Sequence, residues 1–332
     1  MSEMSRRNVM AGAALGAAGV GLPMAAAPAL ADTPTAAGPA AGFYRYKLGS
    51  LEVTVVPDGA RTFPMPDGFV KNAGKDQVDA ALQAAYLTPG QMTIVFNPLA
   101  IRTGGRVVLV DPGNGPAAFE QSKGAVGQYA RNLAAAGIAP EAVDAVVISH
   151  FHGDHINGLL TADGKPLYPK AEILVPEAEW AFWMNDANMA KAPAGSGIEG
   201  NFKNARRVLG VFGDKVTRYP HDKEVVTGIT PIATPGHTPG HTSFVLASGD
   251  RKVLVQSDVT NHPALFLRNP GWHVMFDMDA AQAEATRRRV YDMAAAEKMQ
   301  VQGFHFPFPA TGFVEKDGTG YRLVPVAWNP AL

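Results

Sequence analysis

A short run rich in metal-binding side chains follows directly on an apolar segment of this chain. Residues 145–148, Ala-Val-Val-Ile, carry no polar side chain, which predicts a buried parallel strand covered on both faces. Four potential ligands follow within six residues: His150, His152, Asp154 and His155. Imidazole nitrogen and carboxylate oxygen suit zinc and other borderline divalent ions. The alternative is a polar loop that is histidine-rich by chance, but this crowding at a strand end favours a metal site.

Three further residues have the same relation to apolar runs and could complete the site. His237 precedes a turn-rich segment, Asp258 ends the run 253–258, and His305 follows another predicted strand. A rigid scaffold presents loop-borne ligands along one edge in this way. We therefore expect all seven side chains to meet.

These seven residues, in this order and spacing, resemble the metallo-β-lactamase superfamily, and the full set resembles its dinuclear hydrolase branch. The resemblance implies ligands for two metal ions with Asp258 bridging them: His150, His152 and His237 for one, and Asp154, His155 and His305 for the other. Within the branch, the chain is most similar to the methyl parathion hydrolases and related lactonases. Shared segments are Gly42-Phe-Tyr-Arg-Tyr, Val108-Leu-Val-Asp, Gly236-His-Thr-Pro-Gly-His and Gly320-Tyr-Arg-Leu-Val-Pro-Val.

The same resemblance implies an aromatic substrate pocket. The matching positions hold Phe119, Phe182, Trp183 and Phe202. His262, four residues after Asp258, and Phe276 are expected to line the pocket as well. We expect the loop 64–75 and the segment 261–276 to set its shape. For each aromatic residue, ordinary core packing is the alternative.

Two more residues are candidates for orienting the metal ligands through hydrogen bonds. Asp111 lies at the tip of the predicted strand 106–110, where it could cap a turn or accept a hydrogen bond from a ligand histidine. The resemblance favours the second role. His241, four residues beyond His237, is expected to orient a ligand rather than to be one.

We expect a mixed histidine and carboxylate site of this kind to hold two divalent ions, zinc in the first place, with manganese, cobalt and iron left open. Two cations lower the pKa of a bridging water, so a metal-bound hydroxide would be the nucleophile, held by the carboxylates of Asp154 and Asp258. The chain has no cysteine, which excludes a thiolate nucleophile and a cysteine ligand.

The expected reaction is hydrolysis of a small neutral lactone or aryl ester, with a side activity on organophosphate triesters. One alternative is a dedicated phosphotriesterase. Others are a thioesterase of the glyoxalase type, whose relatives add a C-terminal helical domain, and a non-catalytic periplasmic metal-binding protein. A nucleic-acid partner is not expected, because the net charge is −1 and no basic block is interleaved with aromatic residues.

The N-terminal residues have the pattern of an export signal. Arg6-Arg7 is followed by an Ala/Gly-rich apolar stretch and by Ala29-Leu-Ala31, a small-x-small cleavage site. We predict a twin-arginine signal over residues 1–31, a flexible linker over 32–41, and one hydrolase domain over 42–332, which places the mature protein in the periplasm or outside the cell. A disordered basic terminus and a membrane anchor are the alternatives, but the stretch is too short and Gly-rich for a stable span.

Strands and helices alternate twice along the chain, which predicts an α/β fold, an αββα sandwich of two mixed sheets with helices outside. The segment 191–200 is predicted to be a loop over the active site. Arg287-Arg-Arg289, the densest basic run, is predicted to form a solvated helix face. Dimers are common among the relatives, so a homodimer is one expectation.

Overall fold

The computed structural model describes residues 42–327. The predicted export signal and linker, and the last five residues of the predicted domain, lie outside the described residues. Within the described part, two sheets pack face to face and helices cover their outer faces. The predicted αββα sandwich is therefore confirmed.

The first sheet has seven strands in the order β1-β2-β5-β6-β7-β8-β9. Their bounds are β1 Tyr44–Leu48, β2 Leu51–Val55, β5 Leu99–Thr103, β6 Arg106–Val110, β7 Ala145–Val147, β8 Glu172–Pro176 and β9 Val216–Tyr219. Strands β1, β2, β5 and β6 pair antiparallel, whereas β6 to β9 pair parallel. Strand β7 is fully buried, as its apolar sequence predicts.

The second sheet has six strands in sequence order, β10 to β15. Their bounds are β10 Ile229–Ala233, β11 Thr242–Ser248, β12 Arg251–Ser257, β13 Gln300–Gly303, β14 Thr311–Asp317 and β15 Gly320–Pro325. Strand β3, Gly59–Pro64, pairs antiparallel with β4, Gln91–Phe96, in a separate two-stranded sheet. Strand β3 was not among the predicted elements, because Arg61 and Thr62 interrupt its apolar alternation.

Helices connect the strands and cover both outer faces. Their bounds are α1 Lys75–Ala84, α2 Pro116–Gln121, α3 Tyr129–Ala135, α4 Gly153–Ile156, α5 Glu177–Trp183, α6 Asp186–Met189, α7 Gly197–Gly210 and α8 Ala280–Ala296. A single π-helical turn spans Pro263–Leu267. Helix α7 begins inside the segment predicted to be a loop, because Ser196 caps it by accepting a hydrogen bond from Glu199 N.

Three apolar clusters form the layers of the sandwich. Between the sheets, residues such as Val53 and Val108 of the first sheet pack with Phe244 and Val255 of the second. The outer face of the first sheet packs against α3, α5 and α7, and that of the second against α8. No helix within residues 42–327 is both long enough and apolar enough to cross a membrane.

Candidate metal centre

All seven predicted ligands lie just beyond strand ends at one edge of the sandwich. His150 follows β7 of the first sheet, whereas His237, Asp258 and His305 follow β10, β12 and β13 of the second. His152 is the N-cap residue of the one-turn helix α4, so Asp154 and His155 lie in a helical turn. The two sheets thus contribute ligands from opposite sides.

Three imidazoles form the first half of the cluster. His150 Nε2 lies 3.1 Å from His152 Nδ1, which lies 2.9 Å from His237 Nε2. Ligand nitrogens around a tetrahedral zinc ion, each about 2.0–2.1 Å from the metal, are about 3.3 Å apart. The observed separations therefore suit nitrogens that share one cation.

The second half combines two imidazoles with two carboxylates. His305 Nε2 lies 3.1 Å from Asp258 Oδ2 and 3.5 Å from Asp154 Oδ2. His155 Nε2 lies 3.3 Å from Asp258 Oδ1 and 3.6 Å from Asp154 Oδ2. Asp258 Oδ2 is also 3.3 Å from His237 Nε2 of the first half. Asp258 is therefore the carboxylate placed between the two halves.

Four of the five histidines are oriented through their other ring nitrogen. His155 Nδ1 donates to Asp111 Oδ2 at 2.9 Å, and His305 Nδ1 donates to Val95 O at 2.8 Å. His150 Nδ1 donates to Ser149 Oγ at 3.0 Å, because that hydroxyl itself donates to Asp111. His237 Nδ1 donates to Asp277 at 2.9 Å. Each bond leaves the lone pair of the facing Nε2 free for a metal.

Asp111 serves two ligands from the tip of β6. It accepts directly from His155 and, through Ser149, holds His150. Its own backbone is left-handed, with φ of 54°, as is that of Ser257 just before Asp258, with φ of 49°. Left-handed backbone costs about 1 kcal/mol or more at a non-glycine residue. Both strand tips therefore hold strained turns that direct carboxylates into the site.

The imidazole of His241 orients Asp258 by binding the backbone N–H of that residue rather than its carboxylate. Its Nδ1 donates to Thr234 O at 3.0 Å, and its Nε2 accepts from the backbone N–H of Asp258 at 3.0 Å. Burial, together with the neighbouring His237 imidazole, lowers the pKa of His241 to about 3. The imidazole is thus neutral and fixed as the acceptor that positions Asp258.

Two buried groups that support the ligands were missed in the sequence. Asp277 accepts from His237, and Arg287 Nη2 lies 3.2 Å from its other oxygen. Arg287 is 1% exposed, so the prediction of a solvated face for this run is wrong at that position. Helical spacing offers the missed signal, because Arg287 lies four residues after the buried Ala283 and three residues before the buried Val290.

Glu179 is a third buried residue that was missed in the sequence, and it joins two ligand-bearing loops. Its Oε1 accepts from Phe151 N and Trp183 Nε1, and its Oε2 accepts from Thr238 Oγ1 and Gly240 N. A Cβ at Gly240 would lie 2.2 Å from Glu179 N, so only glycine permits this approach. Burial raises the pKa of Glu179 although four donors oppose the shift.

The charge balance of the cluster fits divalent cations. Burial and neighbouring imidazoles hold the pKa of His150 and of His152 well below the usual range, so both are neutral donors of lone pairs. Burial would lower the pKa of His155, but Asp258, Asp154 and Asp111 outweigh it and raise that pKa. His155 Nε2 and Asp258 Oδ1 are buried without a hydrogen-bond partner in residues 42–327. Such orphaned atoms facing one another suit a metal.

The cluster opens into a cavity of about 760 Å³. His152, Asp154, His237, Asp258 and His305 form its floor. The apolar walls come from Phe63, Ile94, Phe96, Ile198, Met275, Phe276 and Met278, and the polar ones from Arg61, Asn114, Asn157, Asn201 and Asn261. This volume lies in the range of small-molecule sites.

Of the predicted pocket residues, Phe276 lines this cavity, whereas Phe119, Phe182, Trp183, Phe202 and His262 are not among its lining residues. Trp183 and Phe202 are buried in the core. Trp183 Nε1 donates a hydrogen bond to the buried Glu179 at 2.6 Å, and the Phe202 ring packs against the Trp183 ring with centroids 4.6 Å apart. Phe182 packs against the same core. Phe119 lies in α2, and His262 is buried at the start of the π-helical turn.

The loop 64–75 was expected to shape the cavity, but the two-stranded sheet of β3 and β4 forms this wall instead. Arg61, Phe63 and Ile94 line it directly, and the loop acts indirectly through Phe69. The Phe69 ring packs edge-on against Phe276, with ring centroids 5.7 Å apart. The segment 261–276 lines the cavity as expected, through Asn261 at one end and Met275 and Phe276 at the other.

The chain is similar to proteins of known family and structure. The family described as the metallo-beta-lactamase superfamily matches residues 97–297. AidC, a dizinc quorum-quenching lactonase, superposes with a TM-score of 0.80 at 24% identity, covering 87% of this chain and 98% of AidC. AbOPH, a hydrolase of the beta-lactamase superfamily, superposes with a TM-score of 0.80 at 25% identity, covering 88% and 100%.

A probable metal-dependent hydrolase from Staphylococcus aureus superposes with a TM-score of 0.68 at 19% identity, covering 85% of this chain and all of that one, 100%. At such identity the likeness shows a shared fold. No curated protein sequence matches the chain.

Proposed function

This chain belongs to the metallo-beta-lactamase superfamily, and from that premise we propose that its substrate is a small lactone or aryl ester. The chain is a metal-dependent hydrolase. The observation that carries the proposal is the cavity of about 760 Å³, whose floor is the histidine and carboxylate cluster and whose walls are largely apolar. A compact neutral ester fits such a site, because its apolar part packs against the walls while its carbonyl reaches the floor.

Different residues of the chain would have different roles in the reaction. Two divalent ions, proposed to be zinc, would polarise the ester carbonyl and supply a hydroxide nucleophile at neutral pH. His150, His152 and His237 would hold one ion, and Asp154, His155 and His305 the other, with Asp258 between them. The hydrogen bonds from Asp111, Asp277 and Val95 O keep the imidazoles in place while charge develops. The apolar walls exclude water from the bound substrate.

A dedicated phosphotriesterase is the second candidate. A dinuclear site serves both esters and phosphotriesters, since each presents a polarised oxygen and expels an oxygen leaving group. The lactone or aryl ester ranks first, because Trp183, Phe202 and the other aromatic residues expected from methyl parathion hydrolases do not line the cavity. A quorum-quenching lactonase among the similar structures supports the same order.

The experiment compares specificity constants on one metal-loaded preparation, with an aryl lactone, an acylated homoserine lactone and a methyl phosphotriester. We expect a lactone to have the highest kcat/KM. A phosphotriester preferred by more than about a hundredfold, about 2.7 kcal/mol of transition-state stabilisation, would reverse the ranking. Hydrolysis of none of the three would redirect the search to thioesters, which a glyoxalase-type enzyme cleaves.

We also propose that the mature enzyme is exported through the twin-arginine route. Arg6-Arg7, the apolar stretch and the small-x-small site before Asp32 support this proposal. That route carries folded proteins, so the metal cluster would be assembled before export.

A further inference from the structure

A buried carboxylate holds one of the carboxamides that line the cavity. Asp58 is fully buried just after β2, and it has no ion-pair partner within residues 42–327. Its Oδ1 accepts from Tyr129 N at 2.8 Å, and its Oδ2 accepts from Asn114 N at 2.8 Å and from Asn114 Nδ2 at 2.9 Å. These hydrogen bonds partly compensate the burial of a charge that no cation balances among the described residues.

This arrangement decides which way the Asn114 amide faces. An ionised carboxylate can only accept hydrogen bonds, so the Nδ2 of Asn114 must be turned toward Asp58. Asn114 is 8% exposed and lines the cavity. Its Oδ1 has no hydrogen-bond partner among the described residues, and it is not sealed from the cavity. The cavity wall therefore carries an acceptor with a fixed orientation.

The Asn114 loop is tied to the ligand-bearing segment. Gly113 has φ of 82°, and a Cβ there would lie 2.7 Å from Asp58 Cγ, so glycine lets the loop rest on the carboxylate. Gly113 O accepts from Gly158 N at 2.9 Å, two residues after the end of α4. The acceptor and the ligands Asp154 and His155 are thereby held in one rigid unit.

We propose that Asn114 is a specificity-determining residue, whose Oδ1 accepts a hydrogen bond from an N–H or O–H group of the substrate, and that Asp58 is its positioning residue. This inference rests on the proposed lactone or ester hydrolysis and narrows its substrate class. It selects esters and lactones that carry a donor beside the scissile group. One such bond changes kcat/KM by about tenfold, which corresponds to about 1.4 kcal/mol.

The test uses a matched pair of substrates on the metal-loaded full chain. The first is a γ-butyrolactone with an acylamino group at the α position, and the second is its analogue in which CH₂ replaces the N–H. The ratio of the two kcat/KM values isolates the donor. We expect the wild-type enzyme to prefer the N–H substrate by about tenfold, and Asn114→Ala to abolish that preference.

Two further variants separate this role from a general structural one. Asn201→Ala truncates another carboxamide of the cavity, which no carboxylate holds among the described residues, and should keep the wild-type ratio. Asp58→Asn removes the acceptor charge and lets the Asn114 amide turn, so its ratio should fall toward that of Asn114→Ala. If Asp58→Asn does not fold, Asn114→Ala still decides, because it keeps the bonds from Tyr129 N and Asn114 N to Asp58.

The outcomes separate this inference from the proposed function. A wild-type enzyme that hydrolyses both substrates without preference would overturn the inference and leave the proposed function standing. The same holds if Asn114→Ala keeps the full preference. A wild-type enzyme that hydrolyses neither substrate, nor any other lactone or ester, would overturn both.

Discussion

Arg287 and Asp277 form an ion pair in which both side chains are 1% exposed, with Nη2 and Oδ2 3.2 Å apart. The other oxygen of Asp277 accepts from His237 Nδ1 at 2.9 Å. Arg287 also donates to three backbone carbonyl oxygens, those of Val259, Pro270 and Trp272. The guanidinium thus links helix α8 to His237, a candidate metal ligand, through a single carboxylate.

Removing this guanidinium should destabilise the fold. Arg287→Ala leaves the Asp277 charge buried without its partner, which costs about 3–5 kcal/mol. Arg287→Lys should recover little of this loss, because an ammonium group cannot reach the same carbonyls in a planar fork. Urea denaturation of the metal-loaded proteins measures the effect. Arg289→Ala is the control and should change the free energy of unfolding by less than about 0.5 kcal/mol, since Arg289 is exposed.

Asp258 lies between the two halves of the candidate metal cluster, which predicts that its loss affects both halves. Elemental analysis of the wild-type enzyme should give about two metal ions per chain. Asp258→Ala should lose metal from both halves together with most activity, because Asp258 lies within 3.3 Å of His155, His237 and His305. Asp258→Asn should bind metal more weakly. The control is Asp163→Ala, at an exposed carboxylate that is 60% accessible. Wild-type turnover in Asp258→Ala would refute the bridging role.

Replacing Glu179 by glutamine, its neutral isostere, should destabilise the fold. All four of its hydrogen bonds come from donors, so the NH₂ group of Glu179→Gln would face two donors instead of an acceptor. An unsatisfied buried donor costs about 1–3 kcal/mol, so the variant should lose at least about 2 kcal/mol. It should also bind metal more weakly, since Phe151 and Thr238 adjoin metal ligands. Glu177→Gln, at an exposed position on the same helix, serves as the control. Stability equal to wild type would show that the bonds contribute nothing net.

Asp58 predicts a stability that depends on pH. Burial raises the pKa of Asp58 to about 6 from an ordinary value of 3.8, although Asn114, Tyr129 and Gly127 donate hydrogen bonds that oppose the shift. A raised carboxyl pKa stabilises the folded state most below pH 3.8, and this contribution is lost as the pH rises through about 6. The loss is about 3 kcal/mol when complete.

The measurement is the difference in unfolding free energy between wild type and Asp58→Asn, from pH 4 to pH 7. Because other titrating groups are common to both proteins, they cancel in this difference. The wild type should lose stability relative to the variant as the pH rises. A difference that is constant across this range would mean that Asp58 has an ordinary pKa.

Export can be tested in the precursor. Arg6→Lys combined with Arg7→Lys should leave the precursor in the cytoplasm, because twin-arginine recognition needs both guanidinium groups. Cell fractionation with immunodetection measures the distribution, and Lys47→Arg provides a substitution of the same kind outside the signal. A normal periplasmic yield of the double variant would argue for another route.

The sequence alone identified the residues that meet at the centre, because each follows an apolar run whose strand character is local. The segment from His150 to His155 comes just after the fully apolar β7, and Asp258 comes directly after β12. Strand ends in a packed sandwich meet at its edges, so local pattern and spacing were enough to predict the site and the αββα fold.

Only the tertiary structure decided what surrounds the ligands. Trp183 was expected to line the substrate pocket. Its ring lies in the core instead, because a buried Glu179 accepts a hydrogen bond from its indole N–H. Arg287 has the pattern of a solvated residue, yet it is buried because Asp277 neutralises it. Glu179 is one helical turn before Trp183, but the sequence does not show that Phe151, Thr238 and Gly240 hold its carboxylate in the core. Asp277 lies ten residues from Arg287, outside any helical pattern that would pair the two. The environment of a polar or aromatic group depends on such pairing, which chain folding creates and local sequence does not encode.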